Sequence, residues 1–366
     1  MSTDSTNAAT APKRFHPKND DLAPYQPSYA NVEQNKELIH HMFTADPSAH
    51  VFNGKLYIYP SHDLGNTNVD DGSGDHFWME DYHVFSMDSI DGPIHDHGEA
   101  LHIKDVPWAK EQMWAPDAAT KNGKYYLYFP AKDHDGIFRI GAAVSDTPEG
   151  PFTPELGYIQ GSFSIDPAVF VDDDGKAYIY VGGLWGGQLE KWNQPGHVGE
   201  FVRGNAADTQ GQDGPKGNAP ALAPWVAELN DDMVSLKTAP KYIQILDPAT
   251  GEPITAGDTD RRFFEAPWIH KHNGKYYLSY STGDTHYLCY AEADNPFGPF
   301  TYKGRVMEPP LSGWTTHQSI VNYEGKWYLF YHDSEISGGE TQLRAMKFTE
   351  IDIAPDGTIT THVPSA

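Results

Sequence analysis

The chain has 366 residues, with 26 Lys and Arg against 51 Asp and Glu, and its formal net charge of −25 repels a phosphate backbone, which argues against a nucleic-acid partner. A single cysteine, Cys289, excludes both an intrachain disulfide and a cysteine-rich zinc site. Aromatics at 13%, together with 34 Gly and 28 Pro, suit many short strands joined by many turns.

Residues 1–30 are polar, carry several turn formers and lack periodic apolar positions, so they read as a flexible lead-in outside the fold. They contain no apolar core of the signal-peptide kind, and no run of ~18 apolar residues follows anywhere. The expectation is a soluble, cytoplasmic protein with no membrane partner. From residue 31 to 366 the sequence reads as one domain, because a single phrase recurs through it. An apolar strand begins at Gly-Lys-x-Tyr five times: Gly54-Lys55-Leu56-Tyr57, Gly123-Lys124-Tyr125-Tyr126, Gly175-Lys176-Ala177-Tyr178, Gly274-Lys275-Tyr276-Tyr277 and Gly325-Lys326-Trp327-Tyr328. The preceding residues, Asn53, Asn122, Asp174, Asn273 and Glu324, complete hairpin turns. One supersecondary unit used five times in an all-β chain predicts a five-bladed β-propeller.

The turn glycines lie 69, 52, 99 and 51 residues apart, and the spacings near fifty suit a four-stranded blade. The first excess falls in the Asp/Asn/Gly-rich stretch 64–78, expected to be a loop. The larger one marks a long insertion at about 183–260 in the third blade, including Gly204 to Ala221, which reads either as a lid over a pocket or as surface decoration.

Counting back eight or nine residues from each glycine covers some 26 to 30 Å of strand at ~3.3 Å per residue and reaches the opposite face of the disc. The residues found there are Asp46, Trp114, Asp166, Glu265 and His317. If these strands are innermost, three carboxylates, an indole and an imidazole surround one mouth of the central channel. Asp-Pro, as in Asp46-Pro47 and Asp166-Pro167, is a common turn opener, and Trp114 suits the protein core as well as the face of a sugar ring. Their equivalent placement in separate repeats favours chemistry, since unpaired charge is costly to bury. A carboxylic acid paired with a carboxylate is what glycoside hydrolysis requires.

The segments Thr44-Ala45-Asp46-Pro47-Ser48, Trp114-Ala115-Pro116-Asp117, Ser164-Ile165-Asp166-Pro167-Ala168 and Phe264-Glu265-Ala266-Pro267-Trp268 resemble glycoside hydrolase family 43, a five-bladed propeller family of inverting enzymes. The resemblance runs from roughly His40 to Phe348. It implies that Asp46 is the general base, Glu265 the general acid and Asp166 the third carboxylate that orients the acid and raises its pKa. It further implies that Arg344 meets sugar hydroxyls, and that His317 sits where relatives keep a channel histidine associated with calcium or a water network. One histidine fits a largely hydrated Ca2+ or none. Asp117 is expected to brace the second blade.

The implied substrates are arabinose- or xylose-containing oligosaccharides, with an α-L-arabinofuranosidase or β-xylosidase activity. An endo-acting arabinanase and a noncatalytic carbohydrate-binding propeller are the alternatives. A retaining fructosidase-like propeller fits less well, because Ile165-Asp166-Pro167 and Glu265-Ala266 replace its usual Arg-Asp-Pro and Glu-Cys signatures. The remaining histidines, among them His41, His50, His62, His76, His83 and His102, match no compact zinc spacing and are expected in scattered loop, surface or supporting positions.

Overall fold

A computed structural model describes residues 22–66, 68, 73–192, 199–203 and 214–363. Five sheets, antiparallel except for one short outer pairing, follow one another along the chain, and their innermost strands, Phe43–Phe52, Asp117–Lys121, Ala168–Val171, Glu265–His272 and Ser319–Tyr323, touch in a closed ring. This is the five-bladed propeller, with the strand entering each Gly-Lys turn innermost. Among the described residues the only helical segments are four short 3-10 turns.

The turn chemistry explains the repeat. Asn53 and Gly54, Asn122 and Gly123, Asn273 and Gly274, and Glu324 and Gly325 all have φ between 48° and 84°, the two-residue turn whose twist matches the strands it joins. A Cβ on Gly54 would meet nothing within 4 Å, so the demand there is on backbone conformation, not space. The third repeat differs. Strand pairing stops at Val171 and Ala177, and Asp172 donates its N–H to the Lys176 carbonyl across a longer loop.

The second strand of each blade carries the core. Tyr59, Tyr128 and Tyr180, each five residues beyond its repeat glycine, are fully buried. Their hydroxyls donate to the carbonyls of Pro148, Met233 and Pro296 at 2.7, 2.9 and 2.8 Å, each acceptor lying between the third and fourth strands of the following blade. A buried phenol needs such a partner, so three repeat tyrosines fasten consecutive blades. The ring closes where Asn35, Leu38 and Thr44 donate backbone N–H groups to Phe348, Met346 and Arg344 of the last blade.

Two expected boundaries shift. Ser28–Asn31 is the outermost strand of the first blade, paired with Pro93–His102, so the fold begins before residue 31. Of the span 183–260, Trp225–Glu228 and Lys241–Tyr242 are the third and fourth strands of the third blade, and Ile245–Leu246 joins the fourth blade in parallel with Phe300–Thr301. A four-stranded blade must draw its outer strands from this stretch, so the true excursions lie between strands. Most of the proposed lid segment, 204–213, lies outside the described residues.

Asp117 binds the inner ring together. Its buried carboxylate accepts from Ser48 Oγ and His50 Nε2 of the first blade, the latter at 2.7 Å, and from the Val169 N–H of the third. Removing it leaves those donors unpaired. Asp117→Ala should therefore lower unfolding stability by about 3 kcal/mol, measured by urea denaturation, while leaving the pocket residues in place.

Candidate active site

The inner strands are irregular where they reach the channel mouth. Pairing is interrupted between Ala45 and Ser48 and between Glu265 and Trp268, and Asp46, Asp166 and Ala266, each preceding a proline, have φ of 49°, 57° and 58°. Left-handed backbone at non-glycine residues is strained and concentrates at functional sites. Here it re-aims the side chains inward, as a bulge does. The carboxylate stands on the left-handed residue in the first and third blades and one residue earlier, on Glu265, in the fourth.

All six residues expected at the site, Asp46, Trp114, Asp166, Glu265, His317 and Arg344, line one cavity of about 340 Å3. Its walls are aromatic: Phe77 and Trp114 on one side, and Trp185, Phe264 and Trp314 on the other, with Trp185 and Trp314 stacked at 5.9 Å. Trp114 is packed in the core and also lines the cavity. Its ring packs on Phe138 at 4.7 Å and its Nε1 donates to the Phe77 carbonyl at 3.1 Å, so a largely buried indole presents a fixed edge to the cavity.

Asp46 is the most heavily supported carboxylate. Oδ2 accepts from Ser61 Oγ at 2.6 Å, Oδ1 accepts from Arg344 at 3.1 Å and lies 3.5 Å from His317 Nδ1, and its backbone N–H donates to His332 Nδ1 at 2.9 Å. Burial opposes its ionisation, but Arg344, the two histidines and Ser61 outweigh that cost and hold it down at about 2. Glu265 goes the other way. Burial and the negative charge of Asp46 push it up to about 8, against a smaller opposing pull from Arg344. Asp166 is also raised, by burial and by repulsion from Glu265 and Asp46. Its Oδ2 accepts the Ala266 N–H at 2.9 Å, which anchors the residue next to Glu265. At neutral pH the cavity thus holds an ionised Asp46 and a protonated Glu265, the division of labour that acid and base catalysis needs.

Arg344 is buried, not a surface ion-pair partner. Nε and an Nη donate to the two oxygens of Asp63, both at 2.8 Å, and its backbone N–H donates to the same carboxylate at 3.0 Å. The planar fork explains the choice of arginine. The sequence reading missed Asp63, Ser61 and His332. A weak signal existed: Ser61-His62-Asp63 and Tyr331-His332-Asp333 close the second strands of the first and last blades at similar distances from their glycines. The histidines also depart from expectation, since His62 and His83 converge with Asp81 on the first blade.

A propeller whose channel mouth presents a base-ready carboxylate opposite a protonated acid, between aromatic walls, defines a glycoside hydrolase. The chain belongs to the glycosyl hydrolases of family 43, whose family model matches residues 100–198 and 208–359. It is 59% identical over 330 residues to a xylosidase/arabinosidase 43A of Humicola insolens, covering 89% of this chain and 99% of the relative. It is 53% identical over 320 residues to a xylosidase/arabinosidase of Bacteroides ovatus, covering 87% and 94%. Among solved structures, a β-xylosidase/α-arabinofuranosidase from a compost microbial metagenome, in complex with xylotriose and in calcium-free form, is 58% identical with a TM-score of 0.85, covering 91% of this chain and 98% of its own.

The ionisation pattern fixes the pH dependence. Glu265 carries its proton below about 8 and loses it above, so kcat/KM should fall on the alkaline side with a midpoint near that value. The same shift acts on stability. A carboxyl raised on folding costs nothing while it is neutral in both states; the fold loses stability as pH climbs from the unfolded value, 4.5, to the folded one, and the loss is complete above about 8. Relative to the wild type, Glu265→Gln should consequently gain melting temperature as pH rises, in full by pH about 9, and show no such gain below pH about 4. An unchanged difference in melting temperature across that range would count against a buried, protonated Glu265.

Proposed function

We propose that this protein is an exo-acting, inverting glycosidase that removes terminal β-D-xylosyl and α-L-arabinofuranosyl units from xylan-derived oligosaccharides. The observation that carries the proposal is the opposite ionisation of Asp46 and Glu265 within one aromatic-walled cavity. Asp46 takes a proton from water as the water oxygen bonds to the anomeric carbon. Glu265 gives its proton to the glycosidic oxygen as the old carbon–oxygen bond breaks. Asp166 fixes the backbone beside the acid, and its own resistance to ionisation keeps a second negative charge away from Glu265. Arg344 holds Asp46 and is placed to meet a sugar hydroxyl in the cavity. The names of the two relatives and the xylotriose bound to the solved structure support a pentose substrate.

The site also bears on calcium. His317 offers one ring nitrogen, and the nearest carboxylates, Asp46 and Asp166, stand 3.5 and 4.0 Å from it and already serve Arg344 and Ala266. Such a donor set fits a Ca2+ that retains most of its water. His317 would hold it, and the ion would supply positive charge beside the two carboxylates.

Aryl β-D-xyloside and aryl α-L-arabinofuranoside should both be cleaved, and xylohexaose should lose xylose from one end. Proton NMR of the first product from a β-xyloside should show the α-anomer; initial β-xylose would rule out inversion. Exhaustive chelation followed by Ca2+ addition should restore activity and melting temperature in the wild type and not in His317→Ala.

A further inference from the structure

Outside the catalytic cavity, the first blade carries a chain of imidazoles and carboxylates that the hydrolytic reaction does not use. Tyr29 Oη and His41 Nδ1 are 2.7 Å apart, His41 Nε2 and Asp96 Oδ2 2.8 Å, and Asp96 Oδ1 and His83 Nδ1 3.0 Å. The Asp96 carboxylate is fully enclosed and also accepts the Gly98 N–H at 2.8 Å. It therefore fixes the His83 ring with Nδ1 committed as the donor, leaving Nε2 turned to Asp81. That nitrogen stands 3.6 Å from Asp81 Oδ2, beyond hydrogen-bond reach. On the far side of the same carboxylate, Asp81 Oδ1 meets His62 Nδ1 at 2.7 Å.

A separation of 3.6 Å is too long for a hydrogen bond and close to the spacing of two donors on one small cation, roughly 3.4 Å for bonds of ~2.1 Å at tetrahedral angles. One ligand atom from each of His62, Asp81 and His83 lies within 4.8 Å of the other two, while donors sharing such an ion stand at most ~4.2 Å apart, so small side-chain rotations close the set. The three side chains are 17%, 11% and 15% exposed, enough for an ion to enter. Asp96 behind His83 is the carboxylate that metal-bound histidines ordinarily carry on their other nitrogen.

We propose that His62, Asp81 and His83 form a binding site for a divalent transition-metal ion of the Zn2+ class, with Asp96 orienting His83. Two imidazoles and one carboxylate are the donors such ions select, with remaining positions left to water. Calcium, which takes six to eight oxygens, is excluded from this set. Binding displaces the proton held between His62 Nδ1 and Asp81 Oδ1, which leaves to solvent. The ion joins the end of strand Lys55–Asp63 to strand Asp81–Met87. It is therefore held one residue from Asp63, the carboxylate that grips Arg344, and is distinct from any ion at His317.

The test uses the full chain, freed of affinity tag and stripped with chelator, titrated with Zn2+ by calorimetry and followed by melting temperature. One equivalent should bind and raise the melting temperature. His62→Gln and His83→Gln should each weaken binding by about tenfold or more, while His317→Ala and excess Ca2+ leave it unchanged. Melting of the metal-free variants shows whether they fold; if one does not, the other decides. The visible spectrum of the Co2+-substituted wild type reports the ligand set without any variant. Absence of stoichiometric Zn2+ binding, binding undiminished from wild type in both glutamine variants, loss in His317→Ala, or displacement by Ca2+ would each overturn the assignment.

Discussion

One buried guanidinium organises this molecule. Arg344 comes from the last blade, and the carboxylates it holds, Asp46 and Asp63, come from the first. Beside it, Thr44 donates to the Arg344 carbonyl and Arg344 donates its own N–H to Asp63, so the seam that closes the propeller and the support of the proposed base are the same contact. The ring cannot open here without releasing Asp46. Partner removal at a buried ion pair is costly because the survivor is left charged and unsolvated. The geometry of the base is thereby tied to the closure of the fold.

The same cation limits how much negative charge the mouth can hold. Asp46, Asp166, Glu265 and Asp284 line the cavity, Asp63 is paired to Arg344 beside it, and Arg344 is the cation among the lining residues. His317 and His332 add to the pull of the arginine on Asp46, although burial lowers both, His332 to about 3. Asp46 and Asp63 occupy the guanidinium directly. Asp166 and Glu265 lie outside its hydrogen-bonding fork and face the charge of Asp46, and both are raised, Glu265 to about 8. The proposed acid lies outside the arginine's fork, and the proposed base lies within it.

Much of this was legible in the sequence, for identifiable reasons. The turn glycines demand a backbone conformation that few residues adopt, so they mark hairpins wherever they fall, and counting back along extended strands is reliable because strand rise is nearly constant. The ruler reached Asp46, Trp114, Asp166, Glu265 and His317, and all five line one cavity. Asp63 and His332 escaped it because they sit at the far ends of second strands, where no repeated phrase points. The third blade misled for a related reason. Its outer strands, Trp225–Glu228 and Lys241–Tyr242, are only four and two residues long, too short to show an alternating pattern. His62 and His83 are 21 positions apart in sequence and meet because antiparallel neighbours in one blade bring distant residues side by side; spacing along the chain carries no trace of that.

Asp166 shows why three carboxylates serve a reaction that needs two. A cation beside Asp166 would ionise it, but that cation would also favour the anion of Glu265 and lower the very pKa the acid requires. Asp166 has instead a single backbone donor, the Ala266 N–H, and burial on every side. This arrangement fixes the position of Glu265 through its neighbour while adding no positive charge to the acid's surroundings. An asparagine would accept the same N–H but could share neither a proton nor a charge with Glu265. The carboxyl at Asp166 therefore fits two tasks in the proposed reaction: it anchors the backbone beside the proposed acid, and it shares with Glu265 the reluctance of a buried pair to carry a second negative charge.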